Sequence, residues 1–384
     1  MAAFAQKFND LRQSFEVTLE TIADATGIGV AILQELETGS IPPTGDQVLI
    51  LADYFRRDFA WLIQDEAEDP DANATRLFRT ESQKLSQGDR HAIAEFIHLC
   101  KSQALLEELL EQKQQIARYS WPPPQGFKKP THKQQGIDCA EAFRRWHKLP
   151  ATENIADIYQ LLRDSGLRVF RRALPPGSAI SGLFINHPDA GRCILINFSE
   201  DIYRQRFSAA HEAGHALMDE GEPFNVSTES DSGNNWVEMR ANSFASAFLM
   251  PGELLKQMWR PEQWRQPDRI IDAANRLSVT IPALLSALRR ENLISEETRS
   301  ELKDMWLRLP EKREPELGEQ LSPRERERKQ TLLATGLHTK YVDQGLEAHR
   351  RGLISLGKLA EMFLVDPQDV GELAALFGRT LQHG

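Results

Sequence analysis

Two histidines four residues apart, in His211-Glu-Ala-Gly-His215, constrain this chain more than any other stretch. Residues at that spacing share one face of a helix, so both imidazoles can face one tetrahedral metal if the segment is helical. The preceding Gln205-Arg-Phe-Ser-Ala-Ala210 is compatible with such a helix. Glu212 stands one residue round, within reach of a water at the metal. The motif is the sequence form of a zinc-hydrolase centre. A catalytic zinc takes three protein ligands and keeps a fourth position open, which calls for a further His, Glu or Asp from another element downstream. Glu238 is the best candidate. It heads the run Glu238-Met-Arg-Ala-Asn-Ser-Phe-Ala-Ser-Ala-Phe-Leu-Met-Pro251, whose Ala241, Phe244, Ala245, Phe248 and Leu249 recur at helical spacing. The pattern predicts a second helix packed on the first, with Glu238 in its first turn and Asn242 one turn later to orient it.

The zinc expected here would lower the pKa of its bound water and polarise a scissile carbonyl, with Glu212 carrying the proton to the leaving amine. Tyr203 and His187 flank the motif and are oxyanion candidates by position alone; a structural role suits each better. Between the two ligand helices, Asp219 to Asn235 carries Asp219, Glu220, Glu222, Glu229 and Asp231 without a Lys or Arg. It reads as a solvated connection, or as a mobile acidic lid that favours basic substrate segments.

At 384 residues the chain is too long for one ordinary core. No apolar run approaches the roughly 20 residues that cross a bilayer, and no secretory signal is visible at the N-terminus. Cys100, Cys139 and Cys193 are odd in number and widely spaced, as in a reducing cytoplasm, and read as structural. A net charge of -10 gives no general attraction to nucleic acid.

The pattern divides the chain into helices over 1–65, a helical linker region over 66–136 with an acidic start at Asp65–Asp71, and a mixed α and β region over 137–300. A charged connector over 301–330 and a C-terminal helical unit over 331–384 follow. The mixed region holds helical stretches near 139–147 and 154–165. After them come three β-like runs, Leu167–Arg171, Ala179–Ile185 and Arg192–Phe198, and later helices near 267–277 and 280–292. Trp121-Pro-Pro-Pro124 ends the linker helix, and Asp366-Pro367 marks a turn between two late helices. His349-Arg350-Arg351 near Lys358 reads as a solvated basic turn. The fold class expected is α+β. A small sheet beside a metal-bearing helix suits a peptidase that holds its substrate as an added strand.

His211-Glu-Ala-Gly-His215, followed by Glu238-x-x-Ala241-Asn242-x-Phe244-Ala245 and Leu249-Met250-Pro251, resembles the ImmA/IrrE family of metallopeptidases over roughly 155–295. The resemblance implies a zincin-like core in which His211, His215 and Glu238 hold zinc and Glu212 is the catalytic acid and base. It further implies an endopeptidase acting on a transcriptional repressor. Ile22-Ala23, Gly27-Ile28, Glu37 and Gly39 similarly match the scaffold positions of an Xre/Cro-type helix-turn-helix. The base-contacting positions depart from that pattern: Leu19 replaces a common Gln, Gly29-Val-Ala-Ile32 replaces a polar helix start, and Glu35 replaces a basic residue.

Residues 1–70 carry only Lys7, Arg12, Arg56 and Arg57 against 13 Asp and Glu, whereas phosphate binding relies on Lys and Arg. Apolar Val30 and Ile32 on the reading helix suit a protein surface better than a base edge. The module therefore reads as a protein-binding or homodimerising unit, with DNA binding disfavoured. The competing class is a helix-turn-helix regulator or protein-binding sensor whose metal is structural or regulatory.

Overall fold

The computed structural model describes residues 2–65, 68–112, 119, 121, 132–219, 221–228, 236–260, 267–303, 312, 314–318 and 320–381. The N-terminal module is five helices, α1 (Ala2–Phe15), α2 (Leu19–Thr26), α3 (Val30–Thr38), α4 (Gly45–Tyr54) and α5 (Phe59–Ile63). Thr18 starts α2 by accepting the Thr21 N–H, and Gly27, in the left-handed region at φ 74°, turns the chain into α3. Thr44 and Gln47 form a capping box on α4.

Helices α6 (Ala72–Thr80) and α7 (Gln87–Leu109) follow. The 23 residues of α7 are buried around much of their circumference, Ile93, Phe96, Ile97, Leu99 and Cys100 among them, so this helix is an interior element rather than a tether. After α8 (His132–Trp146) and α9 (Ile158–Asp164) comes the sheet of β1 (Arg168–Arg172), β2 (Ile180–His187), β3 (Gly191–Asn197) and β4 (Phe224–Thr228). Its order is β1-β3-β2-β4, with β1 parallel to β3 and β2 antiparallel to both neighbours. The chain is of the α+β class.

The sheet separates two hydrophobic cores, and the period of two along each strand decides which side chain enters which. Phe170, Leu183, Ile185, Cys193 and Leu195 join a core shared with α7, the N-terminal module and the C-terminal helices. Val169, Phe184, Ile194 and Ile196 join Phe143, Tyr159, Ala213, Phe244 and Phe248 on the other side. That second core seats α10 (Ile202–Met218) and α11 (Trp236–Leu249), with α12 (Gly252–Met258), α13 (Pro267–Leu277) and α14 (Ile281–Arg290) beyond them. α15 (Glu296–Lys303), α16 (Pro323–Ala334), α17 (Thr339–Arg350), α18 (Leu356–Phe363) and α19 (Val370–Leu376) complete the chain.

Asp71, almost wholly buried, ties three of these parts together. It pairs with Arg57 of the N-terminal module at 2.8 Å, Lys101 of α7 at 3.1 Å and His187 at the end of β2 at 2.8 Å. Burial opposes its charge, yet Arg57, His187 and Lys101 hold its carboxyl below the ordinary range. The Nδ1 of His187 accepts the N–H groups of Asp189 and Ala190, each at 3.1 Å, so its Nε2–H donates to Asp71.

Several sequence expectations are corrected. The stretch from 154 is irregular up to Asp157, whose side chain accepts the Gln160 N–H and so starts α9 only at Ile158. Pro323–Lys329, within the expected connector, is the start of α16, because Ser322-Pro-Arg-Glu325 forms a capping box with Pro at the first helical position. Phe224–Thr228, expected to be part of a loop, is a fourth strand. Residues 66–67, 122–124, 310–311 and 229–235 lie outside the described residues, and with them parts of the acidic linker, the proline run, the connector and the proposed lid.

Candidate metal centre

Asp201 caps α10 by accepting the Tyr203 N–H at 2.9 Å. Buried Ala209, Ala210, Ala213 and Ala216 keep the helix slim, so that α11 and the sheet approach it closely. His211, Glu212, His215 and Glu238 are all buried. The Nε2 atoms of His211 and His215 lie 3.0 Å apart, 3.1 and 3.3 Å respectively from Oε2 and Oε1 of Glu238. The structure thus brings together the three residues that spacing suggested, one ligand atom from each within 4.8 Å of the others.

The outward ring nitrogens are satisfied separately. His211 Nδ1 lies 3.0 Å from Asn242 Oδ1, and His215 Nδ1 lies 2.9 Å from Asp219 Oδ2. Asp219 in turn accepts from Arg240 on α11. Donating Nδ1–H groups turn both Nε2 lone pairs inward beside a carboxylate, where Asn225 Nδ2 meets the lone pair of His215 and a bound cation would take its place. Donors about 2 Å from a tetrahedral ion stand roughly 3.3 Å apart, close to the spacings here. The residues fit a divalent metal. Asn242, expected to orient Glu238, orients His211 instead.

Burial raises the Glu212 carboxyl above its usual range, against the pull of His211 and His215. The Ser227 hydroxyl beside it favours its charged form, but burial outweighs it. Room for Glu212 depends on Gly182 of β2, since a Cβ there would lie 2.7 Å from Glu212 Oε1. The sequence reading missed Gly182, Asp219 and Asn225. Asn225 Nδ2 donates to His215 Nε2 at 2.7 Å and to Glu238 Oε1 at 3.0 Å. His187 bonds to Asp71, and Tyr203 donates to Asn275 at 3.2 Å; neither reaches the centre.

Residues 162–289 match the family model described as the IrrE N-terminal-like domain, Peptidase M78, and residues 9–62 match a helix-turn-helix model. The chain carries an IrrE/ImmA-like M78 domain behind a helix-turn-helix. No curated protein matches the chain. The M78 match points to a metallopeptidase-type domain and implies a metal cofactor.

A cleft of about 860 Å³ opens on the M78 centre, with His211, Glu212 and Glu238 in its lining. Ser227 and Thr228 of β4 form part of one wall, and Thr280, Ile281 and Pro282 at the start of α14 form part of another. Lys312 lines it too, paired with Asp201 and set 4.6 Å from the centre of the Tyr203 ring.

All four cations of residues 1–70 are paired with carbonyls or carboxylates of the chain itself. Lys7 donates to the Trp61 and Gln64 carbonyls at 2.6 Å each, and Arg12 pairs with Glu37 at 2.5 Å. Arg56 pairs with Asp53 and Arg57 with Asp69 and Asp71. Val30 and Ile32 of α3 are exposed, as are Leu49 and Ile50 of α4 and Phe59 and Ile63 of α5. Among the described residues, no helix is long and apolar enough to cross a membrane.

Proposed function

We propose that the chain is a zinc-dependent endopeptidase that hydrolyses a peptide bond in a specific regulatory protein, such as a transcriptional repressor. The observation that carries this reading is the convergence of two inward-turned Nε2 atoms and a carboxylate beside a buried glutamate. His211, His215 and Glu238 hold the zinc, which supplies a Lewis acid for the scissile carbonyl and makes water a nucleophile near neutral pH. Glu212 takes the proton of the attacking water and returns it to the leaving amine. Its raised carboxyl pKa suits a group that must both accept and give a proton. Asp219 and Asn242 fix the two rings in the tautomer that turns Nε2 inward. Among the described residues β4 has only β2 as a sheet neighbour, so a substrate segment can add along its other edge beside the cleft.

The division we propose assigns 1–65 to recognition of a protein partner, 66–136 to the joint, 137–300 to catalysis, 301–330 to a connector and 331–384 to a C-terminal helical domain. With its cations tied inward and its reading helix apolar, the N-terminal module favours a protein or a second copy of itself over DNA. The same pairing weighs against a DNA-binding regulator with a structural metal. Three free, buried cysteines suit the cytoplasm.

The test is capture of cellular proteins by Glu212→Gln, which keeps the ligands and loses the base. A captured protein should be cut by the zinc-loaded wild type and spared by the variant. Equal treatment by both would overturn the reading.

A further inference from the structure

The outer flank of α13 carries charge that the fold leaves unused. Ile270, Ala274 and Leu277 turn one side of the helix into the core, which sets Arg269, Asp272 and Arg276 together along another side. Asp272 follows Arg269 by three residues and precedes Arg276 by four, spacings at which opposite charges normally meet. It pairs with neither, and among the described residues no carboxylate pairs with Arg269, Arg276 or Arg260. Nearby arginines are closed by carboxylates, as Arg171 is by Glu314, Arg289 by Glu296 and Arg290 by Glu291.

Arg260, Arg269 and Arg276 instead share a pocket of about 140 Å³ where the end of α12 meets α13. It has no residue in common with the cleft at the metal centre. Met258 and Trp259 give it an apolar wall. Trp259 is only 8% exposed, and its indole N–H is buried without a hydrogen bond among the described residues, so a fourth donor there lacks an acceptor. Guanidinium forks hold oxyanions in a fixed geometry. Three of them against the one carboxylate of Asp272 leave two positive charges, matching a phosphate monoester, which carries about -1.5 to -2 at neutral pH. A carboxylate ligand would balance only half of that. The space is below the roughly 300 Å³ of pockets that enclose larger ligands, so it takes a phosphoryl group with little attached. We propose that this pocket binds a phosphate monoester of a small molecule, with an apolar substituent laid on Met258 and Trp259.

Isothermal titration calorimetry of the full-length protein with phenyl phosphate tests this. Wild type should bind one equivalent, and inorganic phosphate, which cannot use the apolar wall, should bind more weakly. Substituting Arg269→Gln and Arg276→Gln together changes two exposed side chains and should lower the affinity for phenyl phosphate by about 10–100-fold. Trp259→Phe keeps an aromatic ring, loses the N–H and should lower it by about 2–10-fold. Zinc-loaded and chelator-treated protein should bind the ester alike. Absence of saturable binding by the wild type, or an affinity that the arginine pair leaves unchanged, would overturn the proposal. Loss of binding on chelation would overturn it too, by placing the ester on the metal. Inorganic phosphate that binds as tightly as the ester would overturn the apolar substituent.

Discussion

The helix-turn-helix and the M78 centre are made of similar parts, short capped helices crossing closely, yet they treat polar groups in opposite ways. In the first, Lys7, Arg12, Arg56 and Arg57 close on carbonyls and carboxylates, mostly of the module itself, and the face left to solvent carries Val30 and Ile32. In the second, outer groups such as Asn242 and Asp219 satisfy the back of each ring, and the two Nε2 atoms converge with the Glu238 carboxylate at the front. A chemical site is marked by what remains unsatisfied after the scaffold has paired its own groups. A scaffold that leaves no cation free has little with which to grip phosphate.

The sharpest way to break the contrast is at the centre. His215→Ala should take bound zinc from one equivalent to none by elemental analysis, and Glu212→Gln should keep the zinc while slowing cleavage by about 10²–10⁴. Zinc retained by His215→Ala would place the ligands elsewhere.

Next in size is the joint between the two regions. Asp71→Asn leaves Lys101 without its carboxylate and Arg57 with Asp69 alone, and should cost up to about 3–5 kcal/mol at neutral pH, measured by urea unfolding. The carboxyl of Asp71 lies lower folded than unfolded, so its stabilisation is full above the unfolded value of about 3.9. It declines as pH falls from there through the folded value. Wild type and variant should thus differ at pH 7 and converge only in acid; a gap that grows in acid would contradict the assignment. Smaller again is Asp219→Asn, which weakens the partner of His215 Nδ1 and should lower zinc affinity by about 10–100-fold. Smallest for the fold, the pair Val30→Ser and Ile32→Ser should shift stability by no more than about 0.5 kcal/mol. The same pair should weaken capture of the partner by the Glu212→Gln protein. Unchanged capture would free the reading helix from that role.

The proposed ligands and base are legible because helical spacing acts locally: His211, Glu212, His215 and the first turn of α11 are dictated by residues within a few positions of each other. β1 to β3 were legible from short apolar runs between turns. β4 was not, since Phe224-Asn-Val-Ser-Thr228 alternates only briefly amid acidic and turn residues, and its pairing with β2 is decided in three dimensions. Asn225 and Gly182 were hidden for the same reason, as each acquires meaning only from what sheet register sets beside it. Asp219 had a local signal that was passed over, a carboxylate four residues after His215 and so on the same helical face. Asp71 had none, because its partners lie 14, 30 and 116 residues away.

Zinc-edge X-ray absorption on the purified full-length protein tests the central claim most directly. The account predicts one zinc with two imidazole nitrogens and oxygen donors, and loss of that signature in His215→Ala. A zinc without imidazole ligands, or no zinc at all after loading, would contradict it.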